Sequence, residues 1–296
     1  MLRQLDNGIL YMLLSALISA LNGALTKILS DDISALEIVF FRNMIGIFLI
    51  LYALRHTPPK LGGGKFHLLF TRGFFGFVAM ILFFYTITII PLGEAITLNK
   101  TSPFFVTILA FYLLGEKLSP LTLLALLIGF IGVILIVKPF GMSLSYEHIL
   151  GVLGGFFAAA AYTTIKKIKD IYDSRVIVLS FVSVGTLLPA MLFLTAPFVE
   201  VSQSLAFLFP EFILPSDTKV WFYIGVMAII STLSQWLLTK AYSAKKLSVV
   251  GVISYTNIPF AIGFGFLLGD AFPDTLTFLG ISLIILGGIL VSRKKA

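Results

Sequence analysis

Long apolar runs cut by short polar turns dominate the chain. A membrane-spanning helix needs about 20 mostly apolar residues, because a rise of about 1.5 Å per residue must cross about 30 Å of hydrocarbon with every backbone bond satisfied internally. Ten runs are predicted to span: Gly8 to Leu29, Ser34 to Leu54, His67 to Ile90, Leu92 to Leu114, Pro120 to Val137, His148 to Ile165, Val176 to Phe198, Val220 to Thr239, Leu247 to Leu268 and Thr275 to Val291. Turn chemistry separates them, as at Thr57-Pro58-Pro59, Pro91-Leu92-Gly93, Lys138-Pro139-Phe140-Gly141 and Pro273-Asp274. Between the seventh and eighth runs, Ser204 to Leu214 is apolar but too short to cross, so Val199 to Asp217 is expected to lie along the outer interface. The first run lacks the basic flank and small-residue cleavage site of a signal peptide and is expected to stay in the mature chain.

Composition agrees with lipid as the main solvent. Apolar residues make up 58% of the chain and charged ones 12%, which leaves too little polar surface for a water-facing exterior and excludes most soluble enzymes and nucleic-acid binders. Cysteine is absent, which removes disulfides, thiolate nucleophiles and cysteine-bound metals. The net charge of +7 is a topology signal rather than evidence for an acidic partner. With the N-terminus in the cytoplasm, 16 of the 21 Lys and Arg residues fall inside, Arg72 among them, and only Lys27, Lys138 and Lys219 outside, with Arg42 and Lys100 inside spans. This orientation places both termini in the cytoplasm of a multi-pass chain in a bacterial inner membrane.

An internal repeat organises the spans. Phe111-Tyr112-Leu113-Leu114-Gly115-Glu116, then Pro120 and Gly132-Val133, recurs as Gly265-Phe266-Leu267-Leu268-Gly269-Asp270, Pro273 and Gly287-Gly288. Each half, 1–141 and 142–296, therefore carries five spans, and the odd number forces the halves to enter the membrane in opposite senses. The expected fold is an all-α membrane protein of ten transmembrane helices in two inverted five-helix repeats. Alternating-access carriers are built this way, with cargo bound near the midplane between repeats.

On these residues, the helix-end Leu-Leu-Gly-Glu, the mid-helix Pro103 and the glycine-rich last span, the chain resembles the EamA branch of the drug/metabolite transporter superfamily over essentially its whole length. Phe40-Phe41-Arg42 and Thr71-Arg72-Gly73 are similar to carriers of that branch that take up S-adenosylmethionine or riboflavin. The resemblance implies a transport mechanism more firmly than a cargo, since other members export amino acids.

Arg42 and Lys100 are the sharpest candidates for cargo binding. Each lies about 12 Å below the outer surface at about 1.5 Å per residue, and a cation there costs about 2.5 to 3.5 kcal/mol on insertion scales unless it has a partner. The acid in that zone is Glu94, which cannot neutralise both, so a surplus positive charge suits an anionic group on the cargo. Snorkelling toward the outer surface is the structural alternative. Glu94 is also the candidate for a coupling proton, against an ordinary solvated carboxylate near a helix end.

Mid-depth polar and aromatic residues complete the candidate substrate-binding set: Asn22, Tyr85, Asn99, Ser102, Tyr162, Tyr255 and Asn257, with Asn43, Gln235 and Thr256 at similar depth. Most such residues are interhelical glue worth about 1 kcal/mol. Two stretches stand out because each sets polar groups beside a proline at matching places in the two halves: Asn99-Lys100-Thr101-Ser102-Pro103 and Tyr255-Thr256-Asn257-Ile258-Pro259. Glu116 and Asp270 lie at opposite membrane faces and read as structural corners.

Other motifs do not carry chemistry. Gly62-Gly63-Gly64-Lys65 lacks the first glycine and the closing Ser or Thr of a phosphate loop, and the three histidines are too scattered for a metal centre. No cofactor is expected. The sequence favours a secondary carrier of a small organic solute, amino-acid-like or nucleoside-like and bearing an anionic group. A lipid flippase or multidrug exporter of the same fold is the alternative, and a membrane-embedded enzyme the weakest class, for want of a nucleophile or metal. Expected partners are the solute, a coupling proton and the bilayer, with no nucleic acid; monomer and homodimer both stay open.

Overall fold

The computed structural model describes residues 7–59, 63–115, 120–137, 145–244, 250 and 253–292, all of them in helices, short 3-10 turns and connections. Its helices are α1 (Asn7–Leu29), α2 (Ala35–His56), α3 (Phe66–Ile89), α4 (Leu92–Asn99), α5 (Ser102–Leu114), α6 (Pro120–Val137), α7 (Tyr146–Ile168), α8 (Ser174–Thr195), α9 (Thr218–Ala244), α10 (Asn257–Leu267) and α11 (Thr275–Ser292). Among the described residues seven stretches are long and apolar enough to cross a membrane, one of them the α4–α5 pair; 127–136, α10 and 275–287 are shorter apolar segments. The protein is therefore an all-helical, multi-pass membrane protein. Glu116, the Lys138–Gly141 turn and the start of the predicted ninth span at Leu247 lie outside the described residues.

Helix ends follow from local chemistry. Ser34 caps α2 with a reciprocal box in which its hydroxyl accepts from the Glu37 N–H while the Glu37 carboxylate accepts from the Ser34 N–H. Gly115 ends α5 at φ 67° and Gly269 follows α10 at φ 92°, left-handed positions that a glycine adopts without a side-chain penalty. This is the physical content of the repeated Leu-Leu-Gly motif. At the start of α8, Asp173 caps the Arg175 N–H, and the Arg175 side chain holds the Asp173 carboxyl below the usual carboxylate range. The same guanidinium donates to the Ala53 and Thr57 carbonyls at the end of α2.

Packing brings distant segments together. α3 lies against α7 and α8, α1 against α9 and α10, α2 against α8 and α9, and α6 against α11. Asn43 ties α2 to α8 by donating to the Gly185 carbonyl at 3.1 Å. The crossing of α6 and α11 is reciprocal: a Cβ on Gly132 would lie 2.7 Å from the Gly280 oxygen, and one on Gly280 would lie 2.7 Å from the Gly132 oxygen. Gly132 thus faces Gly280 and not Gly287, its counterpart in the sequence repeat, which sits over Ala125 and Gly129 instead.

The segment 199–217 forms no continuous interfacial helix. Apart from one 3-10 turn, Gln203–Leu208, it is irregular, and it packs back onto the bundle. Phe207 stacks on Tyr85 at 4.1 Å, the Tyr146 hydroxyl donates to the Ser204 carbonyl, and the Ile213 N–H donates to Glu37 at 2.6 Å. Phe212 sits among Phe40, Phe41 and Phe193.

Candidate functional site

The predicted fourth span is not one helix. Between α4 and α5 the Lys100–Thr101 turn interrupts it, with the Thr101 hydroxyl donating to the Leu98 carbonyl at 2.7 Å. A threonine bonded to its own backbone competes with the helical ladder, and Pro103 has no N–H to offer it. The same chemistry precedes α10, where the Thr256 hydroxyl donates to the Ile253 carbonyl at 2.8 Å and Pro259 follows. Gly155 of α7 lets that helix close on the first break: a Cβ there would stand 3.1 Å from the Asn99 oxygen and 3.2 Å from the Leu98 oxygen.

Beside the first break lies a partly open cavity of about 80 Å³. Its wall takes Asn22 from α1, Arg42 from α2, Arg72 from α3, Asn99 and Lys100 from the break, Tyr162 from α7, Gln235 from α9 and Asn257 from α10. Six of the nine residues singled out as substrate-binding candidates are therefore brought together. Arg42 is buried, with its guanidinium over the Phe84 ring at 5.2 Å and no hydrogen-bond partner at Nε. Asn22 has an unpartnered side-chain oxygen, and Asn257 donates to the Ala16 carbonyl. Tyr162 stacks on Tyr242 at 4.6 Å.

Arg72 is the residue the charge pattern misassigned. The positive-inside tally places it with the cytoplasmic cations, yet it is 1% exposed, inside α3, with its guanidinium 4.7 Å from the Phe181 ring and donating weakly to Gln235 at 3.5 Å. Its position five residues into the predicted third span was the available signal, since about 7.5 Å of helix already separates it from that span's end. Among the described residues no Asp or Glu lines the cavity and no carboxylate pairs with Arg42, Arg72 or Lys100.

The remaining candidates lie elsewhere. Tyr85 is covered by Phe207; Ser102 and Tyr255 are buried outside the cavity wall, the latter with an unpartnered hydroxyl. Glu94 is also away from the cavity, with its carboxylate 3.8 Å from His148 Nε2. It flanks a small crevice that also holds Asp270, which pairs with Lys27 and accepts from the Leu92 N–H at 2.9 Å.

Residues 6–138 and 145–293 each match the EamA-like transporter family. The chain belongs to that family. Among relatives of this EamA-like transporter, the pseudopaline exporter CntI of Pseudomonas aeruginosa is 32% identical over 292 residues, 98% of each chain. The riboflavin transporter of Brucella anthropi is 25% identical over 89% of this chain and 90% of its own, and the S-adenosylmethionine uptake transporter of Rickettsia prowazekii 25% identical over 98% and 94%. All three names are those of transporters, as the resemblance to the EamA branch implies, and one denotes export while another denotes uptake. In this EamA-like transporter the cavity wall offers cationic donors and an unpartnered amide oxygen.

Proposed function

We propose that the protein is a secondary carrier that moves a small organic metabolite bearing an anionic group across the bacterial inner membrane by alternating access. The single observation that carries this reading is the cavity in which Arg42, Arg72 and Lys100 meet no lining carboxylate. A buried cation without a counter-charge is costly, so an anion from outside the chain completes the site. The unpartnered Asn22 oxygen adds an acceptor for an amine or hydroxyl, which suits amino-acid-like or nucleoside-like cargo.

The architecture proposed is ten spans in two inverted repeats, 1–141 and 142–296, with both termini cytoplasmic. Exchange of α1 with α7, α2 with α8, α3 with α9, the α4–α5 pair with α10 and α6 with α11 turns the principal packings into one another. Thus α3 on α7 becomes α9 on α1, and α5 on α7 becomes α10 on α1. The two family matches, each about half the chain, and the reciprocal Gly132–Gly280 crossing support the same reading. Glu94 is retained as the coupling-proton candidate because its partner, His148, belongs to the other repeat.

Uptake of labelled organic anions into proteoliposomes, with and without a proton gradient, tests the proposal. Accumulation by the wild type, lost in Arg42→Ala and Lys100→Ala while both variants stay folded in the membrane, is the expected result. Undiminished transport by both variants refutes the cationic site.

A further inference from the structure

The three cavity cations are not clustered at one point, and α3 serves as a ruler for their spacing. At its inner end, the Arg72 guanidinium packs beside Gly76, where an added Cβ would collide with Nη1, and over the Phe181 ring. Further along, the Arg42 guanidinium, arriving from α2, lies over the ring of Phe84. Positions 76 and 84 are eight residues apart on one helix, about 12 Å at 1.5 Å per residue. Side chains lean toward the helix N-terminus, so the Phe84 ring sits somewhat below its own Cα and the two guanidinium groups stand at different levels of α3, on the order of 10 Å apart along its axis. The α4–α5 break enters between them: a Cβ on Gly154 would touch Ala79 and Leu82 of α3 at 3.5 Å and the Asn99 amide at 3.6 Å, which sets Asn99 and its neighbour Lys100 at an intermediate level.

One carboxylate spans about 2.2 Å between its oxygens and engages one guanidinium at a time in a bidentate pair. It leaves the other arginine with no acid, since none lines the wall. Resting on the anionic-cargo reading above, we infer that the cargo is an elongated organic molecule with two separated carboxylates, one held by Arg42 and the other by Arg72, with Lys100 between them. Bidentate pairing takes up about 4 Å between guanidinium and carboxylate carbons at each end. In line between the arginines only the shortest of the straight-chain diacids, succinate, comes near to fitting, and chains of up to about eight carbons fit alongside the two groups.

The test is equilibrium binding of the full-length protein in nanodiscs to a series of α,ω-dicarboxylates from succinate to suberate, each beside the monocarboxylate of equal chain length. The expected result is a dianion bound about ten- to hundredfold more tightly than its monoanion at an optimal length, as one added charge-assisted pair gives. Arg72→Gln and Arg42→Gln should each erase that preference while monoanions still bind, and Arg72→Lys should keep part of it. Equal affinity of the wild type for mono- and dianions overturns the two-carboxylate inference and leaves the anionic-cargo reading standing, and it does so without any variant having to fold. A dianion preference unchanged in Arg72→Gln also overturns it. Failure of the wild type to bind any acid overturns the anionic-cargo reading itself.

Discussion

Lys27, in the last turn of α1, forms an ion pair with the carboxylate of Asp270, 243 residues away at the end of α10. The second carboxylate oxygen accepts the Leu92 N–H at the start of α4, so one acid fastens three helix ends. Both side chains are mostly buried, at 24% and 12% exposed, which makes removal of one partner more costly than removal of both. Asp270→Asn is expected to lower stability by about 1 to 3 kcal/mol, and Lys27→Met to add less in the double variant than alone. Thermal unfolding in detergent checks this, and strictly additive effects would contradict the clasp.

Gly155 seats α7 against the carbonyls exposed by the α4–α5 break. Gly155→Val is expected to cost about 1 to 3 kcal/mol by overpacking and to shift the wall that carries Asn99 and Lys100. Gly263→Ala, where a Cβ meets nothing within 4 Å, is the control and should leave stability near wild type or slightly raised. Equal losses in the two variants would show that helix propensity, not contact, decides.

The stack of Phe207 on Tyr85 holds segment 199–217 against the bundle, together with the Ile213 N–H bond to Glu37. Phe207→Ala removes an aromatic contact worth about 0.5 to 1.5 kcal/mol beyond burial. Backbone amides of 203–213 should then exchange with solvent about two- to tenfold faster, with α3 amides unchanged. Exchange rates equal to wild type would show that the stack does not hold the segment.

Much of this was legible in the chain. Hydropathy and turn residues located the helices because lipid permits few alternatives, and Pro103 and Pro259 marked the interruptions because proline cannot donate to the ladder. Arg72 was hidden by its address: a cation within two turns of a basic loop follows the same charge rule as a solvated one, and only packing against Phe181 and Gln235 distinguishes it. The pairing of Glu94 with His148 was equally invisible, since 54 residues separate them and neither belongs to a spaced motif. Tyr85 lay at the right depth for the cavity, but depth says nothing about which way a side chain turns around its helix.

The Asp173 carboxyl, held below its ordinary range by Arg175, gives a pH-dependent contribution of known sign. A depressed carboxylate stabilises the fold above the unfolded value of about 3.9 and loses that contribution as pH falls through the lower folded value. Wild type should therefore exceed Asp173→Asn in melting temperature at neutral pH, by an amount corresponding to at most about 1 kcal/mol of ion-pair stabilisation because Asn caps as well as Asp, with the two curves converging below about pH 4. A constant difference from pH 3 to 7 would contradict this.

Where Gly132 and Gly280 meet, backbone rests on backbone with no side chain between. Such a joint resists axial slippage, because Ile136 and Ile284 would each have to climb over the opposite helix. The bundle thus carries one joint of main chain on main chain, keyed in place by two glycines that are each the other's closest neighbour.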